Sequence, residues 1–181
     1  MVNSGIIKKH DCFSVGILFW NIFQKPEEYM MTKKLYLGKS HYINNGIDMS
    51  DEYLNISKND EKAAELLYLQ SLYNQAVYFY IQSMEKYIKS AICRKIDVTN
   101  DYYADKLHMI GHSLDDAIDF FIEIVSGNNE MLKMQITEQL KKGVLKGVRF
   151  SAIYNAVRYP FYKNYNYKFT TLQVFIEKNA V

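Results

Sequence analysis

The chain has 181 residues, 49% apolar and 23% charged, with a formal net charge of +2. That composition belongs to one folded domain and excludes a disordered or polycationic chain. Eight glycines and two prolines are too few turn formers for a sandwich or barrel of many short strands, so long helices are expected.

Residues 1–49 read as an N-terminal helical extension. The apolar run 13–23 follows Lys8 and Lys9 in the manner of a signal peptide. Trp20, Asn21 and Gln24 interrupt it, however, and no small-residue cleavage site follows. It reads as a core or docking helix of a cytoplasmic protein, since no stretch approaches the ~20 apolar residues of a membrane span. Pro26 with Glu27 and Glu28 opens a helix to about Leu37. Residues 40–49, with Asn44-Asn45-Gly46, read as a loop. Ser50 with Asp51 and Glu52 offers a helix start, and Ser57 with Asp60 three residues on offers another. Cys12 and Cys93 have neither CxxC spacing nor histidines at ligand intervals, and read as small apolar residues in a reducing compartment.

The strongest periodicity runs from 66 to 91. Leu66, Leu69, Tyr73, Ala76, Val77, Tyr80, Ile81, Met84, Tyr87, Ile88 and Ala91 form its apolar stripe. Gln70, Asn74, Gln75, Gln82, Glu85, Lys86 and Lys89 form the opposite, polar face. Leu72 and Phe79, seven apart, add a second apolar seam. Ser113 with Asp116 caps the next helix, whose stripe is Leu114, Ala117, Ile118, Phe121, Ile122 and Val125 and which stops at Gly127. Residues 130–159 are helical again, with a break or kink expected near Gly143 and Gly147. Pro160 ends that stretch, and 169–178 reads as a last short helix. The fold expected is all-α, an antiparallel four- to five-helix up-and-down bundle with extra N-terminal helices.

The run from Ala63-Ala64-Glu65-Leu66-Leu67 through Tyr73-Asn74-Gln75-Ala76 to Gln82-Ser83-Met84-Glu85-Lys86-Tyr87-Ile88-Lys89 resembles HEPN domains, as do His112-Ser113-Leu114 and Tyr154-Asn155-Ala156-Val157-Arg158-Tyr159-Pro160. The four pieces stand in family order over residues 50–181. The resemblance implies a turn near 70–72, where the apolar stripe alone permits one unbroken helix. It also implies frequent homodimers, pairing with a separate nucleotidyltransferase chain, and in some cases a toxin–antitoxin or antiviral setting. Catalytic members are metal-independent ribonucleases with an Arg followed four to six residues later by a His. No histidine here follows Arg149 or Arg158 at that spacing, so the resemblance implies a member without ribonuclease activity.

Candidate site residues follow from charge and ring placement. If the last helix is unbroken, Lys142, Lys146 and Arg149 share one face, and Lys141, Lys163 and Lys168 extend the patch. Tyr162, Tyr165 and Tyr167 lie among them, a mixture suited to nucleotides or single-stranded RNA or else a solvated lysine-rich face. Arg149 and Arg158 would then point to opposite faces, with Arg158 beside Ser151 and Tyr154, as an internal tie to a carboxylate or as a ligand-facing group. Only these two and Arg94 are arginines, the type suited to bidentate phosphate recognition. His112 reads first as a structural residue beside a cap, and as a weak catalytic candidate with Arg158. His108 alone is thin evidence for a metal. Asp115 and Asp116 complement a helix dipole. No metal, cofactor, P-loop, GxGxxG, GxSxG or HExxH signature is present. The function expected is a HEPN-like binding or partner module, with a divergent ribonuclease or a purely structural dimerisation domain as alternatives. A homodimer is expected through Phe79 and Trp20, unless the 13–23 run covers its own bundle.

Overall fold

Asp48 opens the first helix by accepting from the backbone N–H of Ser50 at 2.9 Å and from its hydroxyl at 2.7 Å. A computed structural model describes residues 46–159 and the backbone of 161–163 and 166–168. The segments expected at 13–23, 26–37 and 169–178 lie outside the described residues, as do Cys12, Trp20 and the side chains of Tyr162 and Lys163. Six α-helices follow among the described residues: α1 Met49–Leu69, α2 Tyr73–Cys93, α3 Asp101–Ile110, α4 Leu114–Ser126, α5 Glu130–Thr137 and α6 Phe150–Arg158. A π-helical turn, Glu138–Val144, continues α5. No described helix is long and apolar enough to cross a membrane.

The all-α expectation holds for this bundle. An antiparallel pair of three-residue strands, β1 Phe161–Lys163 and β2 Asn166–Lys168, is an addition that the tyrosine-dense stretch did not announce.

α1 and α2 form an antiparallel hairpin. Asp51 at one end reaches Arg94, Ser57 reaches Ser83, and Tyr68 beside the turn packs edge-on to Tyr73. The turn falls at residues 70–72, with Ser71 in the left-handed region at φ +60. The two start signals expected in α1 are corrected. Ser50 lies inside the helix that Asp48 caps, and Ser57 is mid-helix and buried. Mid-helix, the N–H groups a cap would serve already bond to the carbonyls four residues back. The Ser57 hydroxyl therefore donates across the hairpin, to the Ser83 carbonyl at 2.9 Å.

Leu66 and Leu69, expected in the buried stripe, are 65% and 73% exposed. The turn cuts the stripe, and their side of α1 faces away from α2. Phe79, expected on a partner-facing seam, is half-buried and packs edge-on to Tyr78 within the chain.

The largest correction concerns the polar face of α2. Gln82, Glu85 and Lys89 are buried, because α2 packs on α1 along one side and on α4 and α6 along others. A helix with neighbours on several sides has no single solvent face. The core gathers Ile81, Ile88 and Ile92 of α2 with Leu107, Ile110, Leu114, Ile118, Phe121 and Ile122. Ser113 caps α4 as expected, its hydroxyl accepting from the Asp116 N–H at 3.2 Å. Val125 is the exception in the α4 stripe, at the exposed end of that helix.

The break expected near Gly143 and Gly147 is present. Leu140, Leu145 and Phe150 are all buried. In an α-helix, residues five apart point about 140° apart. The wider π turn, in which the Leu145 N–H reaches the Leu140 carbonyl at 2.9 Å, brings both inward. Lys146 and Gly147 then take φ +49 and +73, and the chain restarts at Phe150.

One consequence is testable at the edge of the hairpin. Burial, then the carboxylate of Glu65 four residues on, pushes the Glu61 carboxyl up from its ordinary value. An acid raised in the folded state is disfavoured in its ionised form, so this contribution weakens the fold as pH rises through the carboxyl range. Glu61→Gln is expected to raise stability at pH 7 by about 0.5 kcal/mol in urea unfolding and to change little at pH 4. A fall in stability at pH 7 contradicts this account.

Candidate functional site

Charge is concentrated where the bundle is driest. Glu85 and Lys89, one turn apart on α2, are 1% and 5% exposed and pair at 2.6 Å. Removing two such charges from water costs several kcal/mol each, so the pair needs further partners. The Lys89 ammonium also donates to the Gly111 carbonyl and lies 5.8 Å from the centroid of the Tyr53 ring. Gly111 ends α3 at φ +54, which costs a glycine little. Three consecutive residues thus serve one corner. Gly111 is gripped by Lys89, His112 stands with Nδ1 3.5 Å from Glu85 Oε2, and Ser113 caps α4. Oε2 itself makes no hydrogen bond among the described residues, and His112 is 73% exposed by side chain.

α6 completes the arrangement. Tyr154 stacks on Tyr78 of α2, centroids 5.4 Å apart and rings 27° from parallel. The Arg158 guanidinium lies 4.7 Å from the Tyr154 centroid, 4.9 Å from Tyr159 and 5.8 Å from Tyr78. Burial, followed by the hydrogen bond and charge of Tyr78, raises the Tyr154 phenol, while Arg158 lowers it and Glu85 raises it. The net shift is upward, so Tyr154 stays protonated across neutral pH and acts as a donor rather than a base. The fold therefore brings Glu85, Lys89, His112, Tyr154 and Arg158 from three separate stretches to one neighbourhood.

Of the two roles expected for Arg158, the internal tie is absent, since no carboxylate pairs with it among the described residues. It is exposed and held over rings, as a ligand-facing group is. The lysine stripe is corrected. Lys142 lies on the π turn and pairs with Glu138 at 3.3 Å, Lys146 lies in the left-handed bend, and Arg149 is the residue before α6. They do not share a helix face, because the helix that would align them is broken. Arg149 and Lys141 line a groove of about 450 Å³ together with Asp115 and Asp119. Asp119 pairs with Lys141, so the groove carries both signs of charge. β1 carries Tyr162 and Lys163 in register with Tyr167 and Asn166 of β2.

No family model, curated protein or solved structure matches the chain. Among the described residues no group of three or more His, Cys, Asp or Glu is placed to hold a metal ion.

Periodicity missed Glu85, Lys89, Tyr78 and Tyr154 as site residues. It counts the charged pair as solvent-facing, leaves Tyr78 out of the apolar stripe and places Tyr154 only as a neighbour of Arg158. The pair lies within the polar string Gln82, Glu85, Lys86 and Lys89 of α2, where spacing alone gives no sign of burial. Chemically, the arrangement offers a guanidinium and ring faces for phosphate and base, and beside them an imidazole against a carboxylate.

Proposed function

We propose that this chain is a HEPN-like helical module that binds a phosphate-bearing ligand, a nucleotide or single-stranded RNA, at the Arg158 cluster. The observation that carries this reading is an exposed guanidinium over three tyrosine rings, with no carboxylate paired to it among the described residues. Arg is the group suited to phosphate oxygens, and ring faces accept any base. The turn at 70–72 and the meeting of the signature residues Glu85, Lys89, His112 and Arg158 support the HEPN-like architecture.

Anisotropy with a labelled single-stranded RNA tests it. Arg158→Ala is expected to weaken binding by about 10- to 100-fold, the worth of a charge-assisted hydrogen bond of about 1.5–3 kcal/mol. It should also flatten the salt dependence by about 0.7 in the log–log slope, one phosphate contact on a single strand. Equal affinity in the variant would end this reading.

A second reading is favoured by one distance. His112 Nδ1 at 3.5 Å from Glu85 Oε2 sets an exposed imidazole against a buried carboxylate, and Glu85 and Arg158 both act on the Tyr154 phenol. An imidazole held against a carboxylate is a general acid–base group, and Arg158 offsets phosphate charge. Cleavage of RNA in chelator, lost in both His112→Ala and Arg158→Ala, selects the divergent ribonuclease. Intact RNA bound with Arg158-dependent affinity selects the binding module.

A further inference from the structure

The groove between α4 and the π turn has an apolar floor and a charged rim. Ile118 and Leu145, both buried, and Val148, half-buried, line the floor of its volume of about 450 Å³. Three of the four charged groups on the rim are committed. Both oxygens of Asp115 accept from backbone N–H groups of α6, and Asp119 pairs with Lys141. Arg149 is the fourth. It is exposed, makes no capping hydrogen bond to α6, and has no carboxylate paired to it among the described residues. An ammonium carries three donors, so Lys141 keeps donors for a second acceptor beside Asp119. A guanidinium and a shared ammonium above an apolar floor suit a phosphate with a sugar or base lying against it. Asp115 already occupies the start of α6, so an anion there meets the side chains of Arg149 and Lys141, not free helix amides.

α6 links this groove to the Arg158 cluster. Ser151 lines the groove, and Ser151, Tyr154, Asn155 and Arg158 stand at positions i, i+3, i+4 and i+7. At about 100° per residue they fall within one strip of the helix surface, about 10 Å long from Ser151 to Arg158. Ser151, Asn155 and Arg158 are exposed, and α6 contains no acidic residue. Tyr154 and Tyr78 stack at the far end of the strip, under Arg158. A nucleoside monophosphate has a single phosphate and can satisfy one of the two arginines. A single strand has a phosphate at every nucleotide and bases between, so it can place one on each.

We infer that the Arg149 groove is a second phosphate subsite and that the ligand is a single strand of RNA lying along α6 from that groove to Arg158, an inference that rests on the Arg158 reading above.

The test is anisotropy with a labelled oligouridylate of about ten nucleotides, within the ~4–16 of compact single-strand sites, competed by uridine monophosphate. The unaltered chain is expected to bind the strand at least about tenfold more tightly than the monophosphate, the worth of one further charge-assisted contact. Arg149→Ala should weaken strand binding about tenfold and lower the log–log salt slope by about 0.7. Its fold should be unaltered, because the side chain is exposed and caps nothing. Arg149→Lys keeps the charge and should keep the slope. With Arg158→Ala added to Arg149→Ala, the two losses should add in free energy, as for contacts to separate phosphates. Equal affinity for strand and monophosphate overturns the inference. So does full strand affinity in Arg149→Ala while Arg158→Ala is impaired, or an Arg149→Lys slope as low as that of Arg149→Ala. A double variant no weaker than Arg158→Ala alone overturns it too, placing both arginines on one phosphate. The Arg158 reading survives each of these results. Strand binding indifferent to Arg158→Ala ends that reading, and this inference with it.

Discussion

Lys89→Met is expected to destabilise the protein by about 3–5 kcal/mol, because it leaves the Glu85 carboxylate buried without its counter-charge. For a chain of this size that corresponds to a fall in Tm on the order of 10 °C or more. Three losses combine: the 2.6 Å ion pair, the donor to the Gly111 carbonyl, and the cation beside the Tyr53 ring. Burial, then the charges of Cys93 and Glu85, raise the Tyr53 phenol, so it stays neutral and cannot replace the missing charge. Glu85→Leu alone is expected to cost a similar amount, since it strands the ammonium instead. The double variant Glu85→Leu/Lys89→Met should recover most of the loss, as apolar replacement of a whole buried pair often does. Urea unfolding of the four proteins closes the cycle, and a double variant no better than either single one contradicts the account. The same double variant should lose the anchoring of the Gly111–Ser113 corner. RNA affinity is therefore expected to fall even where stability returns, which separates what the pair does for the site from what it does for the fold.

Local signals in the sequence were the reliable ones. Ser113 with Asp116, Gly127 as a stop and the weakness around Gly143 and Gly147 each depend on a few adjacent backbone groups, and the structure has all of them. Pro160 likewise marks the end of α6, since the residue before a proline is pushed from the helical region and Tyr159 takes φ −126, ψ 145. Where the environment comes from distant chain, periodicity failed. Ser57 looks like a cap until Ser83 lies across from it, and Glu85 looks solvated until α1 and α6 cover two sides of α2. The lysine stripe failed for another reason. A 100° step per residue was carried through a π turn, and one such turn re-aims everything after it. Arg158 was legible as a residue of interest from its scarcity and position, with Tyr154 beside it, but Tyr78 was not, because it lies 80 residues earlier. The turn at 70–72, which the apolar stripe would have bridged, was expected from the resemblance and is present.

Asp115→Ala is expected to cost about 2–3 kcal/mol and to weaken ligand binding from a distance. Asp115 sits in the first turn of α4, where its charge already suits the helix dipole. Its carboxylate is used elsewhere, however. Oδ1 accepts from the Phe150 N–H at 3.1 Å and Oδ2 from the Ser151 N–H at 2.8 Å, the first N–H groups of α6. α6 follows Arg149, whose side chain makes no capping hydrogen bond, so α4 supplies the cap that the local sequence lacks. A lost cap costs ~0.5–2 kcal/mol and a hydrogen bond to a charged group ~1.5–3 kcal/mol, which sets the expected range. Asp115→Asn keeps one acceptor and should lose about half as much. Phe150, at the capped end, is buried, while Arg158 lies about 12 Å further along the helix over Tyr154 and Tyr78. Fraying from the capped end loosens the rod that holds the guanidinium, so RNA affinity is expected to fall several-fold although Asp115 touches no ligand. Urea unfolding and RNA anisotropy on the same variants check both halves. Full stability in Asp115→Ala would refute the capping role. A stability loss with unchanged affinity would show that Arg158 is positioned by its tyrosines alone.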